Sequence, residues 1–163
     1  MADAEFFKLM RAYAPKIMTS VPYARALGFE MLDVDRAFAR AKAPWREDLV
    51  GDPDTGVVAG GVVTALLDNL CGVAVVAALD TFRSTATIDL RIDYMRAAEP
   101  HRDIIGEAEC YHVTRTVAFV RGYAFHESRD DLIASASGAF MLTSPPSDKP
   151  KPENWSSARR EDG

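Results

Sequence analysis

The sequence has 163 residues, of which 48% are hydrophobic and 26% are charged. This composition provides the apolar side chains for a packed core in one domain and excludes a wholly disordered chain. The formal net charge of −5 argues against a general nucleic-acid binder, and two cysteines are too few for a disulfide-rich miniprotein.

The N-terminal segment, residues 3–19, has apolar side chains at helical spacing with charged side chains between them. This pattern predicts an amphipathic helix that stops or kinks near Pro15. The segment lacks the basic region, the continuous apolar region and the cleavage site of a secretory signal, so we expect a cytoplasmic protein. Small and polar residues alternate over 37–43, which predicts a strand, and a polar loop over 46–56 follows it.

Residues 57–79 form a nearly continuous apolar run, interrupted by Thr64, Asp68 and Asn69. The run is long enough to cross a bilayer. However, an adjacent Asp and Asn near the midplane would be costly, and no cationic or aromatic belt flanks the run. We therefore predict a helix over residues 60–79 that is buried in a soluble core.

Four segments after this helix have strand character. They span residues 85–95, 104–113, 117–125 and 132–142. Several of them carry Ala and Gly on one face, which allows a helix backbone to approach the sheet closely. A helix that is apolar all round must also be covered all round. The sequence therefore predicts an α+β fold in which a curled antiparallel sheet wraps around one central helix.

Two features of the predicted central helix bear on chemistry. Gly60 and Gly61 open the helix, so their backbone N–H groups lie unobstructed at its positive end, where they could bind an oxyanion or a polarised carbonyl. The same glycines also suit a helix start that packs tightly on the sheet. Asp68 is the only charge in the apolar run, and a carboxylate there must be paired, hydrogen-bonded or functional.

The spacing of these two features has a consequence for the assembly. Gly60 and Asp68 are eight residues apart, roughly 12 Å along a helix axis. Reaction requires both groups within about 3–3.5 Å of the reacting carbonyl region, which one straight helix cannot provide. If both act, the second group comes from an antiparallel copy of the helix in another subunit. A symmetric dimer with two composite sites follows as a hypothesis.

Three segments of the sequence resemble a known family. They read, in order, AGGVVTALLDN, TIDLRIDYM and TRTVAF. Together they are similar to the PaaI-type acyl-CoA thioesterases of the hot-dog fold, within the hydroxybenzoyl-CoA thioesterase superfamily. The resemblance covers roughly residues 25–142. It implies a single hot-dog domain over 1–143, with an N-terminal helical extension over 1–24, and leaves 144–163 as a flexible C-terminal tail rich in Pro, Ser, Lys and Glu.

The resemblance implies a thioester hydrolase that acts on acyl-CoA without metal or other cofactor, as a homodimer or a homotetramer built from two dimers. The family's catalytic carboxylate, a nucleophile or a general base for water, falls on Asp68. The backbone N–H that polarises the thioester carbonyl falls on Gly60 of the opposite subunit. A hydroxyl that helps to hold the attacking water falls on Thr87. Residues implied in substrate binding are Gly61, Asn69, Arg115 and Thr116, the last two at the CoA nucleotide.

The sequence departs from the family pattern at two positions. Ala59 replaces the usual His before the two glycines, and Pro53 replaces an Asn or Gln six residues upstream. Removal of one positioned donor costs on the order of a hundredfold in rate. Asp52, Asp54 or Thr55 could substitute if the loop is shifted. The alternative function is therefore a non-catalytic acyl-CoA-binding or interaction protein that keeps the hot-dog fold.

Overall fold

The computed structural model describes residues 2–143 and contains two helices near the N-terminus, a central helix and a series of strands. In chain order these are α1 (Ala2–Ser20), α2 (Pro22–Ala26), β1 (Glu30–Asp35), β2 (Phe38–Ala43), β3 (Val50–Asp52), β4 (Val57–Val58), α3 (Gly60–Ala78), β5 (Thr85–Tyr94), β6 (Ile104–Val113), β7 (Val117–Phe125) and β8 (Leu132–Leu142). A short 3-10 helix, Glu47–Leu49, precedes β3.

Six strands in the described part of the chain form one antiparallel sheet in the order β1-β2-β6-β7-β8-β5. β3 and β4 pair separately as a small hairpin. The sheet has β1 at one edge and β5 at the other, so each of these strands is paired on one side only. The helix α3 packs across the sheet, mainly against β2, β6 and β7.

Small residues on the sheet allow α3 to pack closely. Ala39, Ala41 and Ala108 are fully buried beneath the helix. At Gly106, an added Cβ would lie only 2.6 Å from Leu70 Cδ1 and 2.9 Å from Leu66 Cδ2, so a larger residue there would force these two side chains of α3 to move.

α3 forms the centre of the hydrophobic core. By length and composition it could cross a membrane, but 56% of its most apolar window is buried inside the protein. Its fully buried side chains include Leu66, Leu67, Leu70, Cys71, Ala74 and Val75. The apolar run therefore reflects coverage by the sheet, as its sequence predicts.

The structure confirms the predicted α+β fold with a sheet around one helix. The strands predicted over 104–113, 117–125 and 132–142 have those same bounds, and the predicted helix ends at Ala78. The strand predicted to reach residue 95 ends at Tyr94. The predicted flexible tail, residues 144–163, lies outside the described residues.

Three local predictions differ from the structure. Of the two outcomes predicted at Pro15, the stop is wrong, because α1 continues to Ser20, where burial of Ala14 and Met18 outweighs the one hydrogen bond that proline removes. A kink at Pro15 stays a prediction. The alternating segment 37–43 is the second half of a hairpin whose first strand, β1, was not predicted. The turn places Ala37 at a φ of 57°, which local propensity does not favour. The loop over 46–56 contains the 3-10 helix and β3.

Candidate active site

The carboxylate of Asp68 and the hydroxyl of Thr87 meet between α3 and β5. The Thr87 hydroxyl donates a hydrogen bond to Asp68 Oδ1 at 2.9 Å, although the two residues are 19 positions apart. Asp68 is half-buried, and Thr87 lies on the exposed edge strand. The bond orients the carboxylate and uses one of its several acceptor positions, so the group can still accept from a water molecule. Two of the predicted site residues are therefore brought together.

A β-bulge on β5 determines which residues face α3. The pairing of β5 with β8 shifts register between Thr87 and Asp89, so β5 has one extra residue at this point. Thr87 and Tyr94 are seven positions apart and would face opposite sides of a regular strand. With the bulge, both hydroxyls contact α3, one at Asp68 and the other at Gly60.

The N-terminus of α3 is exposed and has no side-chain cap. Ala59 precedes it with φ −58° and ψ 134°, and its side chain provides no capping hydrogen bond. Gly60 and Gly61 are both exposed, and a Cβ added at Gly61 would meet no heavy atom within 4 Å. Their N–H groups at the positive end of the helix can therefore be approached by a carbonyl oxygen.

Tyr94 holds this helix start and was not predicted as a site residue. Its hydroxyl donates to the Gly60 carbonyl oxygen at 2.6 Å and lies 2.8 Å from Thr64 Oγ1. Tyr94 falls within the TIDLRIDYM segment, but its contact with Gly60, 34 positions away, depends on the bulge.

Gly60 and Asp68 of one chain are not brought together. They lie two helical turns apart, roughly 12 Å, and border different cavities. Asp68 and Thr87 border a cavity of about 470 Å³. Gly60 and Tyr94 border a smaller one of about 290 Å³ on the other side of the helix start.

The larger cavity is mainly apolar and lies between α1, α3 and the end of the sheet. α1 and the residue after it contribute Met10, Ile17, Met18, Ser20 and Val21; α3 contributes Asp68, Asn69, Gly72, Val73 and Val76; Phe82, Thr85, Thr87 and Phe140 complete the lining. Asn69 donates from its amide to the Ala65 carbonyl oxygen at 2.8 Å, which ties that side chain to its own helix.

Comparison with known proteins identifies the family. The thioesterase superfamily profile matches residues 55–133. A crystal structure of a protein from Pseudomonas aeruginosa is 39% identical with a TM-score of 0.73, and the match covers 81% of this chain and 98% of that one. The chain belongs to the thioesterase superfamily. The predicted family and its hot-dog fold are thereby confirmed, and the protein is a thioester hydrolase.

The sequence and the fold of this thioesterase are also similar to those of two further proteins. The medium/long-chain acyl-CoA thioesterase YigI of Salmonella typhimurium is 28% identical over 135 residues, which cover 75% of this chain and 86% of YigI. The PaaI protein of Escherichia coli, from the phenylacetic acid degradation operon, has a TM-score of 0.71 at 15% identity, with coverage of 83% of this chain and 94% of PaaI. The likeness to PaaI is therefore one of fold.

Cys71 lies close to the Asp68 carboxylate of this thioesterase but cannot act as a thiolate nucleophile. The residue is fully buried, one helical turn beyond Asp68. Burial, followed by the negative charge of Asp68, raises the pKa of the Cys71 thiol to about 12. The thiol is therefore protonated at neutral pH.

The most buried histidine has a structural role. The His126 ring accepts a hydrogen bond from the Glu99 N–H through Nε2 at 2.9 Å, and its Nδ1 lies 2.8 Å from the Asp103 carbonyl oxygen. Both ring nitrogens thus bridge backbone groups. Within residues 2–143, no group of three His, Cys, Asp or Glu side chains could hold a metal ion.

The loop at Pro53 does not supply the amide that the family usually has there. Asp52 accepts hydrogen bonds from the Thr55 hydroxyl at 2.6 Å and the Asp54 N–H at 3.1 Å. These two bonds, the Thr55 one foremost, lower the pKa of the Asp52 carboxyl. Pro53, Asp54 and Thr55 border a separate cavity beside Trp45. Asp52, Asp54 and Thr55 are therefore bonded to one another within the loop.

The remaining predicted substrate contacts lie at the surface. Arg115 and Thr116 occupy the exposed turn between β6 and β7. The Arg115 carbonyl oxygen accepts from Arg83 Nη1 at 3.1 Å, which connects this turn to the segment before β5. Contacts of Gly61, Asn69, Arg115 and Thr116 with substrate stay predictions.

Proposed function

We propose that the protein hydrolyses acyl-CoA thioesters at a site formed by Asp68 of one subunit and the Gly60 N–H of the partner subunit. One observation carries the proposal: the Asp68 carboxylate, oriented by Thr87, borders a large apolar cavity next to an unpaired sheet edge. The YigI relatives are medium/long-chain acyl-CoA thioesterases, which supports acyl-CoA as the substrate class.

The edge strand β5 supports the composite site. Ile88 on β5 is 53% exposed, and Met95, directly after the strand, is 57% exposed. An edge that no other described strand pairs with, and that exposes apolar side chains, can pair with a second chain. If two β5 strands pair antiparallel about a point midway between Thr87 and Tyr94, each Thr87 lies opposite the Tyr94 of the partner subunit. Asp68, bonded to Thr87, then approaches Gly60 of the partner subunit, which is bonded to Tyr94.

In the proposed reaction, the thioester carbonyl oxygen accepts hydrogen bonds from the N–H groups at the start of α3. Asp68 of the facing subunit removes a proton from water as the water oxygen bonds to the carbonyl carbon. The amides stabilise the resulting oxyanion. The carbon–sulfur bond then breaks, and the CoA sulfur leaves with the proton held by Asp68. In the alternative route, an Asp68 oxygen bonds to the carbonyl carbon, CoA leaves, and water hydrolyses the anhydride.

The test replaces the carboxylate with its neutral isostere. Asp68→Asn keeps the shape of the side chain but removes the base and nucleophile, so we expect kcat to fall by about a hundredfold to ten-thousandfold. Turnover is measured as free thiol released from decanoyl-CoA. Asp33→Asn, the same change on the exposed strand β1 at the far edge of the sheet, is the matched control and should retain full turnover.

Two results contradict the proposal. One is an Asp68→Asn protein that is folded and releases thiol at the rate of the unchanged protein. The other is an unchanged protein that binds acyl-CoA, seen as a saturable rise in melting temperature, without releasing thiol. The second result supports the alternative of a non-catalytic binder. Location in the cytoplasm and the choice between dimer and tetramer stay predictions.

A further inference from the structure

The cavity of about 470 Å³ is bordered by the Asp68 carboxylate and the Thr87 hydroxyl, and the rest of its lining is mainly apolar. We propose that it holds an unbranched acyl chain of medium length, with Gly72 on its floor and α1 as its outer wall, and that Gly72 sets the chain length accepted. This inference rests on the proposed function, because it takes Asp68 as the position of the thioester carbonyl.

The size of the cavity favours an alkyl chain over a single aromatic ring. An apolar cavity of roughly 150 Å³ is sufficient to hold benzene. The cavity bordered by Asp68 has a volume of about 470 Å³, about three times as large. A single aryl group would leave most of this apolar lining without contacts, whereas a flexible chain can follow it.

The length of the cavity follows from the stripe of residues on α3 that line it. Asp68, Gly72 and Val76 line it at four-residue spacing, which extends over roughly 12 Å of helix. An extended alkyl chain advances roughly 1.3 Å per carbon, given carbon–carbon bonds of about 1.5 Å. The stripe therefore accommodates about nine carbons beyond the carbonyl. The chain would end near Val76.

Gly72 enlarges the cavity, although the backbone conformation at this position does not require glycine. A Cβ at this position would lie 3.7 Å from the Phe140 ring and 4.0 Å from Thr85 Oγ1, which are ordinary contacts. Glycine inside a helix destabilises it relative to alanine, and neither a positive φ nor a close neighbour calls for glycine here. What glycine provides at residue 72 is room, and a longer side chain would occupy the path from Asp68 to Val76.

The outer wall belongs to the part of the chain that lies outside the resemblance to the family. α1 packs mainly on β1 and only lightly on α3, so a gap stays open between the two helices. Met10, Ile17 and Met18 line that gap from α1. Methionine side chains are flexible and polarisable and can adjust to chains of different length.

The experiment measures kcat/KM for acetyl-, hexanoyl-, decanoyl- and palmitoyl-CoA in the unchanged protein, in Gly72→Leu and in the matched control Gly72→Ala. For the unchanged protein we expect kcat/KM to rise about threefold to fourfold per methylene up to decanoyl-CoA. Gly72→Leu should lower the decanoyl-CoA value by about tenfold or more and leave acetyl-CoA within about twofold. Gly72→Ala adds only a Cβ, so it should lower the decanoyl-CoA value by less than Gly72→Leu does.

A second variant keeps the test decisive if Gly72→Leu does not fold. Val76→Phe fills the far end of the cavity, so it should reduce turnover of decanoyl- and palmitoyl-CoA while hexanoyl-CoA is unaffected. The inference is overturned if the folded variants lower turnover of all chain lengths equally or of none. It is also overturned if the unchanged protein prefers phenylacetyl-CoA to decanoyl-CoA.

Failure of this inference can be told apart from failure of the proposed function. If Asp68→Asn retains turnover but Gly72→Leu still shifts the preferred chain length, the cavity assignment holds and the catalytic role of Asp68 does not. If Asp68→Asn is inactive but Gly72→Leu has no selective effect, the catalytic role of Asp68 holds and the cavity assignment does not. Calorimetric binding of decanoyl-CoA to Asp68→Asn, with and without Gly72→Leu, gives a readout that needs no turnover.

Discussion

The hydroxyl of Tyr94 acts on the peptide group that joins Gly60 to Gly61. It donates to the Gly60 carbonyl oxygen at 2.6 Å, and that oxygen lies in the same rigid plane as the Gly61 N–H. A hydrogen bond to the carbonyl polarises the peptide and strengthens its N–H as a donor. In the proposed site Tyr94 is a positioning residue, because its hydroxyl acts on the neighbouring N–H donor through the Gly60 peptide group.

Tyr94→Phe tests this role at the scale of one atom. We expect kcat to fall by about tenfold, less than the hundredfold or more lost when an oxyanion donor itself is removed, with KM within about twofold. Tyr111→Phe, which removes another exposed hydroxyl, should change neither constant. A Tyr94→Phe protein with a lower melting temperature and unchanged kcat would assign the hydroxyl a purely structural role.

Among the elements, β5 contacts both halves of the proposed site, since Thr87 bonds to Asp68 and Tyr94 bonds to Gly60. It pairs with β8 on one side, and its other edge is unpaired within the described residues. Its bulge directs both Thr87 and Tyr94 towards α3, at opposite ends of the strand. A strand of this kind supplies both halves of a composite site when a second copy pairs with it.

Ile88→Lys tests β5 as the subunit interface. Ile88 is 53% exposed in the single chain, so the fold should tolerate the change, but a charge on the edge opposes strand pairing. Light scattering should show loss of the dimer, and thiol release should fall with it by about tenfold or more. Leu32→Lys, at a 48% exposed position on β1, is the control for the other edge. A monomeric Ile88→Lys protein with full turnover contradicts the interface.

At the scale of the whole molecule, catalysis in this proposal depends on two chains. Within one chain, Asp68 and Gly60 lie two turns apart and border different cavities. A symmetric dimer would create two equivalent sites, each with a carboxylate from one chain and amide donors from the other. Two different inactive variants should then complement each other when mixed.

The complementation test uses Gly60→Pro and Asp68→Ala. Proline removes the N–H, suits the first helical position, and follows Ala59, whose ψ of 134° lies in the range preferred before proline. Each variant alone should be inactive. Coexpression should give about a quarter of the activity of the unchanged protein. Half of the dimers are mixed, and one of the two sites in each mixed dimer is intact. Gly60→Ala, which keeps the N–H, is the active control. No recovery in mixed dimers contradicts a shared site.

The sequence alone determined the elements that carry their own periodicity. The nearly continuous apolar run of α3 and the alternating strands β6, β7 and β8 are bounded by turn residues, so local pattern predicts both their type and their ends. Asp68 could be selected in the same way, because a single carboxylate in an apolar run needs a partner or a function. These features depend on which side of each element is buried, and periodicity encodes that directly.

The contacts between distant residues depend on how the elements pack in three dimensions. The hydrogen bond between Thr87 and Asp68, the bond from Tyr94 to Gly60 and the cavity beneath α1 all depend on strand order, on register and on one bulged residue in β5. The continuation of α1 past Pro15 is likewise a result of packing. Periodicity reports the buried face of an element but not its partner, and a one-residue change in register redirects every side chain beyond it.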